Sequence, residues 1–139
     1  MAATNCNYCL KGEGLDAFAV EIAKLSVSTL YLFREQSHPG RTIVAYDGHV
    51  SELVDLDDAQ RNSFFADVAK AAKAIHAAYK PDKINYGAYG DTMPHLHFHL
   101  VPKYRDQFEW GGVFAMNPQQ AMLGDEDCAK AVAKIKAAL

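Results

Sequence analysis

Three imidazoles stand at every second position in His95-Leu96-His97-Phe98-His99. Alternation of a polar with an apolar side chain is the pattern of a strand with one wet and one buried face, so the three rings share a side. Same-face neighbours on a strand lie about 6.6 Å apart and the row spans roughly 13 Å. That is too long to crowd one small ion, and it suits a cleft that holds a chain of phosphates. A single histidine on such a face usually only hydrogen-bonds; three in strict alternation point to a site with a separate job for each. A second group of donors opens the chain. Cys6 and Cys9 form a C-x-x-C within Asn5-Cys6-Asn7-Tyr8-Cys9, a knuckle in which two thiolates can chelate one tetrahedral metal. A redox pair is the rival reading, but thioredoxin-like motifs need a strand before the first cysteine, and the residues ahead of Cys6 leave no room for one. Two thiolates are half a metal site, so two further ligands must come from elsewhere.

The elements that position these residues follow from periodicity. Val20 to Phe33 is rich in β-formers, with Ser26, Ser28 and Thr29 breaking the run, and fits two strands joined by a short turn. Ser37-His38-Pro39-Gly40 is turn chemistry, Arg41 to Tyr46 is a third strand ended by Asp47-Gly48, and His49 falls in the loop that follows. From Leu56 the period changes. Asp57 is an N-cap, and Phe64, Phe65, Val68, Ala71, Ala72 and Ile75 recur at three and four, an amphipathic helix of about five turns that Pro81 stops. Lys83 to Gly90 reads as a strand running into a glycine-bearing loop, and Asp91-Thr92-Met93-Pro94 leads into the histidine strand, which continues to Pro102. Gly87, Gly90 and Thr92 therefore lie close to the histidine face, where glycine lets backbone N–H groups approach an anion and threonine adds a donor. Phe108 to Gly112 is an aromatic loop, and Asp125 to Leu139 is a short Ala/Lys helix with Cys128 on it.

With 139 residues, half of them hydrophobic, the chain makes one domain with a real core. The net charge of −3 and the scattered basic residues do not suit coating a nucleic acid, so phosphate recognition must be local. No apolar run approaches a membrane span, and Met1 to Cys6 has no charged region followed by an apolar one. A soluble cytoplasmic protein is the expectation.

Taken together, His95-Leu96-His97-Phe98-His99-Leu100-Val101, the Gly87 to Pro94 loop behind Asn85, and His38 to His49 with the helix after Leu56 resemble the histidine triad (HIT) family of nucleotide hydrolases and transferases, in its zinc-bearing bacterial form. The resemblance runs from about Cys6 to Trp110. It implies a single HIT domain over 1–139, with its core at 6–110 and a C-terminal loop and helix at 111–139. The implied fold is α+β, a five-stranded antiparallel sheet with two helices, commonly paired as a homodimer with a continuous sheet. The implied reaction is attack by the middle histidine, His97, on the α-phosphate of a dinucleoside polyphosphate or nucleoside phosphoramidate, giving a covalent nucleotidyl-histidine that water opens. His99 assists at the phosphate or leaving oxygen, and Asn85, Gly90 and Thr92 hold non-bridging oxygens. Asp91 departs from the amide often found at its position and is expected to point away. The family also implies that Cys6, Cys9, His49 and His95 form a structural zinc site. Members often carry Asp or Asn for the ribose hydroxyls where this chain has Phe33, which implies weak ribose discrimination or recruitment of neighbouring Arg34 or Glu35.

Elementary chemistry agrees with the role of His97, because a neutral imidazole is available near pH 7 and anchoring one ring N–H frees the other nitrogen as a nucleophile. Two other classes stay open at this point. The H-x-H strand could bind a catalytic metal, although no carboxylate is spaced to finish such a site. A non-catalytic nucleotide-binding module on the same fold would keep every residue named.

Overall fold

The computed structural model describes residues 5–118 and 121–139, so Met1–Thr4, and Gln119 and Gln120 of the C-terminal loop, lie outside the described residues, together with the expectation that falls on them. Five strands form one antiparallel sheet: β1 (Ala19–Lys24), β2 (Ser28–Phe33), β3 (Thr42–Tyr46), β4 (Lys83–Gly87) and β5 (His97–Lys103). Their spatial order is β1-β2-β3-β5-β4, which puts the histidine strand between β3 and β4. Two long helices, α3 (Asp58–Tyr79) and α4 (Asp125–Ala138), accompany two single-turn helices near the N-terminus, α1 (Asn7–Leu10) and α2 (Glu13–Asp16). The two-helix expectation thus holds for the long helices and misses the short pair, whose four-residue length gives no readable periodicity. No helix among the described residues is long and apolar enough to cross a membrane.

Both faces of the sheet are covered, which is why every residue of β2 and β3 is buried. On one face Leu30, Leu32, Val44 and Leu100 pack against Phe64, Val68, Ala71 and Ile75 of α3 and Ile135 of α4. Burying side chains of this size contributes about 1.5–3 kcal/mol each. The opposite face carries Tyr31, Phe33, Ile43 and Ala45, covered by Cys6, Tyr8 and Leu15 of the N-terminal turns. The histidines belong to this second face, since Ile43 lies opposite His99 and Ala45 opposite His97, while Leu96 and Phe98 go to the helical side. The alternation read from the sequence therefore holds.

Two of the boundaries that differ from expectation bear on the site. β3 starts at Thr42, not Arg41, and β5 at His97, not His95. His95 follows Pro94, its N–H turns back to Met93 O, and its ring is drawn toward the N-terminal cysteines, so its backbone leaves the ladder while its side chain stays on the same face. Helix α3 begins as expected: Asp57 accepts from Gln60 N–H at 2.8 Å, with Gln60 reaching back in a capping box. It ends at Tyr79, with Lys80 in the left-handed region just ahead of Pro81.

The turn between β1 and β2 is fixed by a carboxylate reaching across from α3. Buried Asp67 accepts from Ser26 N–H and Oγ–H, Val27 N–H and Ser28 Oγ–H, at 2.6 to 3.2 Å. Burial alone would raise its pKa, but the donors of Ser28, Val27 and Ser26 outweigh it and hold the carboxyl below its ordinary value. Because the folded pKa is depressed, this contribution is complete above the unfolded value of 3.8 and is lost as pH falls through the lower folded value. Asp67→Ala leaves four donors facing a void and should lower the unfolding free energy by about 3 kcal/mol in urea titrations at pH 7. The difference between native and variant should shrink only in strongly acidic buffer.

Candidate active site and metal centre

Each imidazole of the strand has one nitrogen tied to a fixed partner. His95 Nε2 lies 2.6 Å from Tyr46 O, and since a carbonyl only accepts, Nε2 carries the proton and Nδ1 the lone pair. His97 Nδ1 lies 2.6 Å from His95 O, so its proton sits on Nδ1 and Nε2 is left with its lone pair. His99 Nδ1 is 3.2 Å from Arg41 Nη2; a guanidinium only donates, so Nδ1 accepts and the ring proton is on Nε2. Burial lowers the pKa of all three. For His99, burial acts together with the charges of Arg41 and His97 and lowers it to about 3. The three rings are neutral near pH 7.

His97 and His99, their centroids 5.4 Å apart, open onto a cavity of about 860 Å³. Its walls are largely apolar: Tyr8 and Phe18 from the N-terminal turns, Phe33 from β2, Tyr89 and Met93 from the loop before β5, and Phe114, Met116 and Met122 from the C-terminal segment. Gly90 and Thr92 line it as expected, and Gly90 has φ +124, so a side chain there would be strained as well as 3.1 Å from Met93 O. Asp91, expected to point away, is exposed and also lines the cavity. Phe33 lies edge-on to His99 at 5.5 Å. Arg34 is elsewhere, donating to Asp16 O and pairing with Asp125 at 3.2 Å, whereas Glu35 lines the cavity and accepts from Ser37 and Ala121 N–H. Asn85 is not brought in with the others. It lines an adjoining cavity of about 390 Å³ that shares Tyr89 and Phe114, with the Phe114 ring seated where a Cβ on Gly87 would be.

Arg41 carries no role in the sequence reading, yet it organises one side of the site. Its guanidinium is fully buried, donates to Ala115 O at 3.1 Å and Met116 O at 2.8 Å, and lies 4.3 Å from the Phe33 centroid and 4.9 Å from that of Phe114. Burial lowers its pKa to about 10, with Glu35 and Glu109 opposing, so it remains charged at neutral pH. A signal was available: counting back by twos from Ala45 and Ile43 reaches Arg41, a cation on the histidine face. The same loop is held by buried Lys103, which donates to Glu109 O and Gly112 O, and by the 2.9 Å bond from Ala115 N–H to Glu109, itself paired with His38 at 2.7 Å. Phe114, Met116 and Met122 gave no advance sign, since apolar residues in a loop have no period.

The second centre lies at the other end of the strand. Cys6 Sγ, Cys9 Sγ, His49 Nδ1 and His95 Nδ1 all fall within 4.8 Å of one another. The separations are 3.4 Å for Cys6–His95 and Cys9–His49, 3.6 Å for Cys9–His95 and 3.3 Å for His49–His95. A tetrahedron with metal–sulfur bonds of about 2.3 Å and metal–nitrogen bonds of about 2.05 Å has edges of roughly 3.3 to 3.8 Å. The donors therefore fit one tetrahedral ion, and the Tyr46 carbonyl on His95 Nε2 supplies the outer contact that fixes a ligating imidazole.

The HIT domain model matches residues 25–106, more than half of the chain. The chain belongs to the HIT family. An AP-4-A phosphorylase of Mycobacterium tuberculosis is 34% identical over 106 residues, a match that covers 72% of this chain and 49% of that protein. The chain thus spans about half the length of this curated relative. Among solved structures, a histidine triad protein of Sinorhizobium meliloti superposes with a TM-score of 0.83 at 20% identity, covering 92% of this chain and 95% of that one. A Zn-bound histidine triad family protein of Mycobacterium smegmatis gives 0.68 at 21% identity, covering 96% and 92%. The five-stranded HIT fold implied by the sequence is the one observed.

Metal-free, reduced protein titrated with cobalt(II) should develop the visible bands of a tetrahedral thiolate site at one equivalent. Cys6→Ser and Cys9→Ser should each weaken them, and octahedral spectra from the native chain would exclude the four-donor set.

Proposed function

We propose that this HIT protein is a nucleotidyl hydrolase or transferase that acts at the α-phosphate of a dinucleoside polyphosphate or nucleoside phosphoramidate. The observation that carries the reading is the His97 ring: Nδ1–H is anchored on its neighbour's carbonyl, and Nε2 is left as the lone-pair nitrogen of a residue that lines a nucleotide-sized cavity. Nε2 attacks phosphorus in line with the departing group, and the anchored Nδ1–H stays on the ring, so the adduct is a phosphorylated imidazolium. Water then attacks phosphorus, the P–N bond breaks with its electron pair returning to Nε2, and the proton shed by the water passes to bulk solvent, so His97 ends neutral. The Nε2–H of His99, with Gly90 and Thr92, would stabilise charge on the non-bridging oxygens. Asn85 opens onto the adjoining cavity and is assigned no contact to this phosphate. The apolar walls around Phe33 suit the base, while Glu35, not Arg34, is the polar group near enough for the ribose. The kinship with an AP-4-A phosphorylase supports a nucleotide anhydride as substrate.

Quenching the native protein with labelled diadenosine polyphosphate should trap an acid-labile adduct on the peptide that contains His97. His97→Ala should lose the adduct and at least about 10³-fold in kcat, some 4 kcal/mol, with nucleotide affinity within a few fold of native. Turnover by the variant, or label on His95 or His99, would falsify the assignment.

The metal in the Cys6, Cys9, His49 and His95 set is proposed to be zinc, supported by the donor types, the tetrahedral edges and the fit to a Zn-bound relative's fold. When bound, it would supply structural cross-linking and no open position for substrate. Freshly purified, reduced protein should carry one zinc per chain by native mass spectrometry and elemental analysis. A homodimer is proposed from β4, which is an outer strand of the sheet with Tyr86 exposed on it, an edge that otherwise invites uncontrolled pairing. Sedimentation at micromolar concentration should give twice the chain mass. Unpaired thiols in a metal set suit a reducing compartment, so the cytoplasm is the location proposed.

A further inference from the structure

Arg41 bears on the leaving group. Of the two nitrogens of His99, Nδ1 faces a guanidinium Nη2 at 3.2 Å, and that guanidinium is itself pinned by the carbonyls of Ala115 and Met116. Arginine has five donors, no acceptor, and does not give up its proton in proteins. A proton on His99 Nδ1 would set N–H against N–H inside a buried cluster walled by Phe33 and Phe114. His99 therefore holds one proton, on Nε2, and can lend it in a hydrogen bond but cannot release it, because release would leave an imidazolate.

We propose that Arg41 fixes His99 as a neutral Nε2–H donor and so restricts the site to substrates whose leaving group departs as a phosphate or polyphosphate anion, without a proton from the enzyme. This rests on the nucleotidyl transfer through His97 proposed above. The balance of protons separates the two substrate classes. With an anhydride, the His97 Nε2–P bond forms, the P–O bond breaks, and the electron pair leaves on a phosphate oxygen that is stable as an anion. With a phosphoramidate, the P–N bond breaks and the nitrogen must gain a proton as it departs. His97 keeps its only proton on the His95 carbonyl, and His99 has none to give. Among the described residues, no other imidazole lines the cavity.

The charged and titratable groups that face His99 are Arg41, just ahead of β3, and His97 on its own strand; Glu35, Asp91, Tyr8 and Tyr89 line the same cavity. Both Arg41 and His97 oppose a positive charge on His99, as burial also does. A positioned general acid contributes about 10²–10⁴-fold, and that is the factor the native site forgoes on amine leaving groups.

The test compares two substrates that share the adenylyl group, diadenosine tetraphosphate and adenosine 5′-phosphoramidate, on the zinc-loaded native protein and on Arg41→Gln. Native kcat/KM should favour the tetraphosphate by at least about 100-fold. In Arg41→Gln the ratio should fall at least about tenfold, and the phosphoramidate reaction should gain an acid-side pH dependence below the ordinary histidine value of about 6.5, because burial still opposes the charge. Nitrogen-15 spectra of native His99 should show a protonated Nε2 and bare Nδ1 throughout the range from about pH 5 to 8, a reading that needs neither the variant nor turnover. A native ratio near one, or a native His99 that titrates in that range or carries its proton on Nδ1, overturns the proposal. Turnover of neither substrate by the native protein overturns nucleotidyl transfer and the leaving-group rule together, while the spectrum still decides the lock.

Discussion

One nitrogen of every ring in the histidine strand is committed to a group that cannot change its hydrogen-bonding sense. Two of those groups are backbone carbonyls, Tyr46 O and His95 O, and the third is a guanidinium. The commitments set three tautomers, and the tautomers set what each ring can offer. His95 turns a lone pair toward two thiols, His97 has a lone pair free for the cavity, and His99 has an N–H. Neutral imidazole can ordinarily carry its proton on either nitrogen; here the sheet removes the choice. The strand pattern fixes which face the rings occupy, but the ladder and its neighbours fix what each ring can do.

Arg41 is the costly part of this arrangement, since a charge has been taken out of water without a carboxylate in direct contact among the described pairs. Two carbonyl oxygens, two aromatic faces and the His99 lone pair take the place of solvent, and the carboxylates of Glu35 and Glu109 act at longer range. The same bonds hold the loop that bears Phe114 and Met116, so the cation that sets the His99 tautomer also closes the cavity wall. Loss of Arg41 would therefore act on two scales. The nitrogen spectra report the tautomer alone, whereas the leaving-group ratio also senses the wall that Phe114 and Met116 form.

The sequence made the strand legible because alternation is a strong signal over five residues, and α3 legible because its apolar spacing, its Asp57 cap and Pro81 agree. The metal set was only half legible. Cys6 and Cys9 announce themselves by spacing, whereas His49 and His95 lie 40 or more positions away in the chain and meet them only through the fold; the family resemblance supplied the link. Arg34 illustrates the opposite failure. It sits next to Phe33 in sequence, but adjacent residues on a strand face opposite sides, and Arg34 is taken up by Asp16 O and Asp125 of α4. The cavity walls from the C-terminal segment could not be read, because Gln36 N–H to Ala121 O and Leu123 N–H to Arg34 O are long-range pairings with no local pattern behind them.

The four-donor cluster and the cavity are joined by one side chain. Tyr8 lies between the two thiol ligands in the chain, on the single-turn helix α1, and its ring is 5.2 Å from His95 and 5.0 Å from His97. Four residues cannot hold a helix by backbone bonds alone, as the nucleation cost exceeds what one turn returns. The turn persists because Tyr8 is buried against Tyr31 and Phe18 and because Cys6 and Cys9 face the two imidazoles. A metal held by those four donors would cross-link the turn to the strand and fix Tyr8 as the wall beside the His97 ring. A closed coordination shell would thus limit how far the His97 ring, the proposed nucleophile, can swing, without itself reaching into the cavity. His95 serves both centres, since its side chain faces the thiols while its carbonyl anchors His97 Nδ1. Its place at the head of the strand, outside the ladder, is what leaves that carbonyl and that ring free to do both.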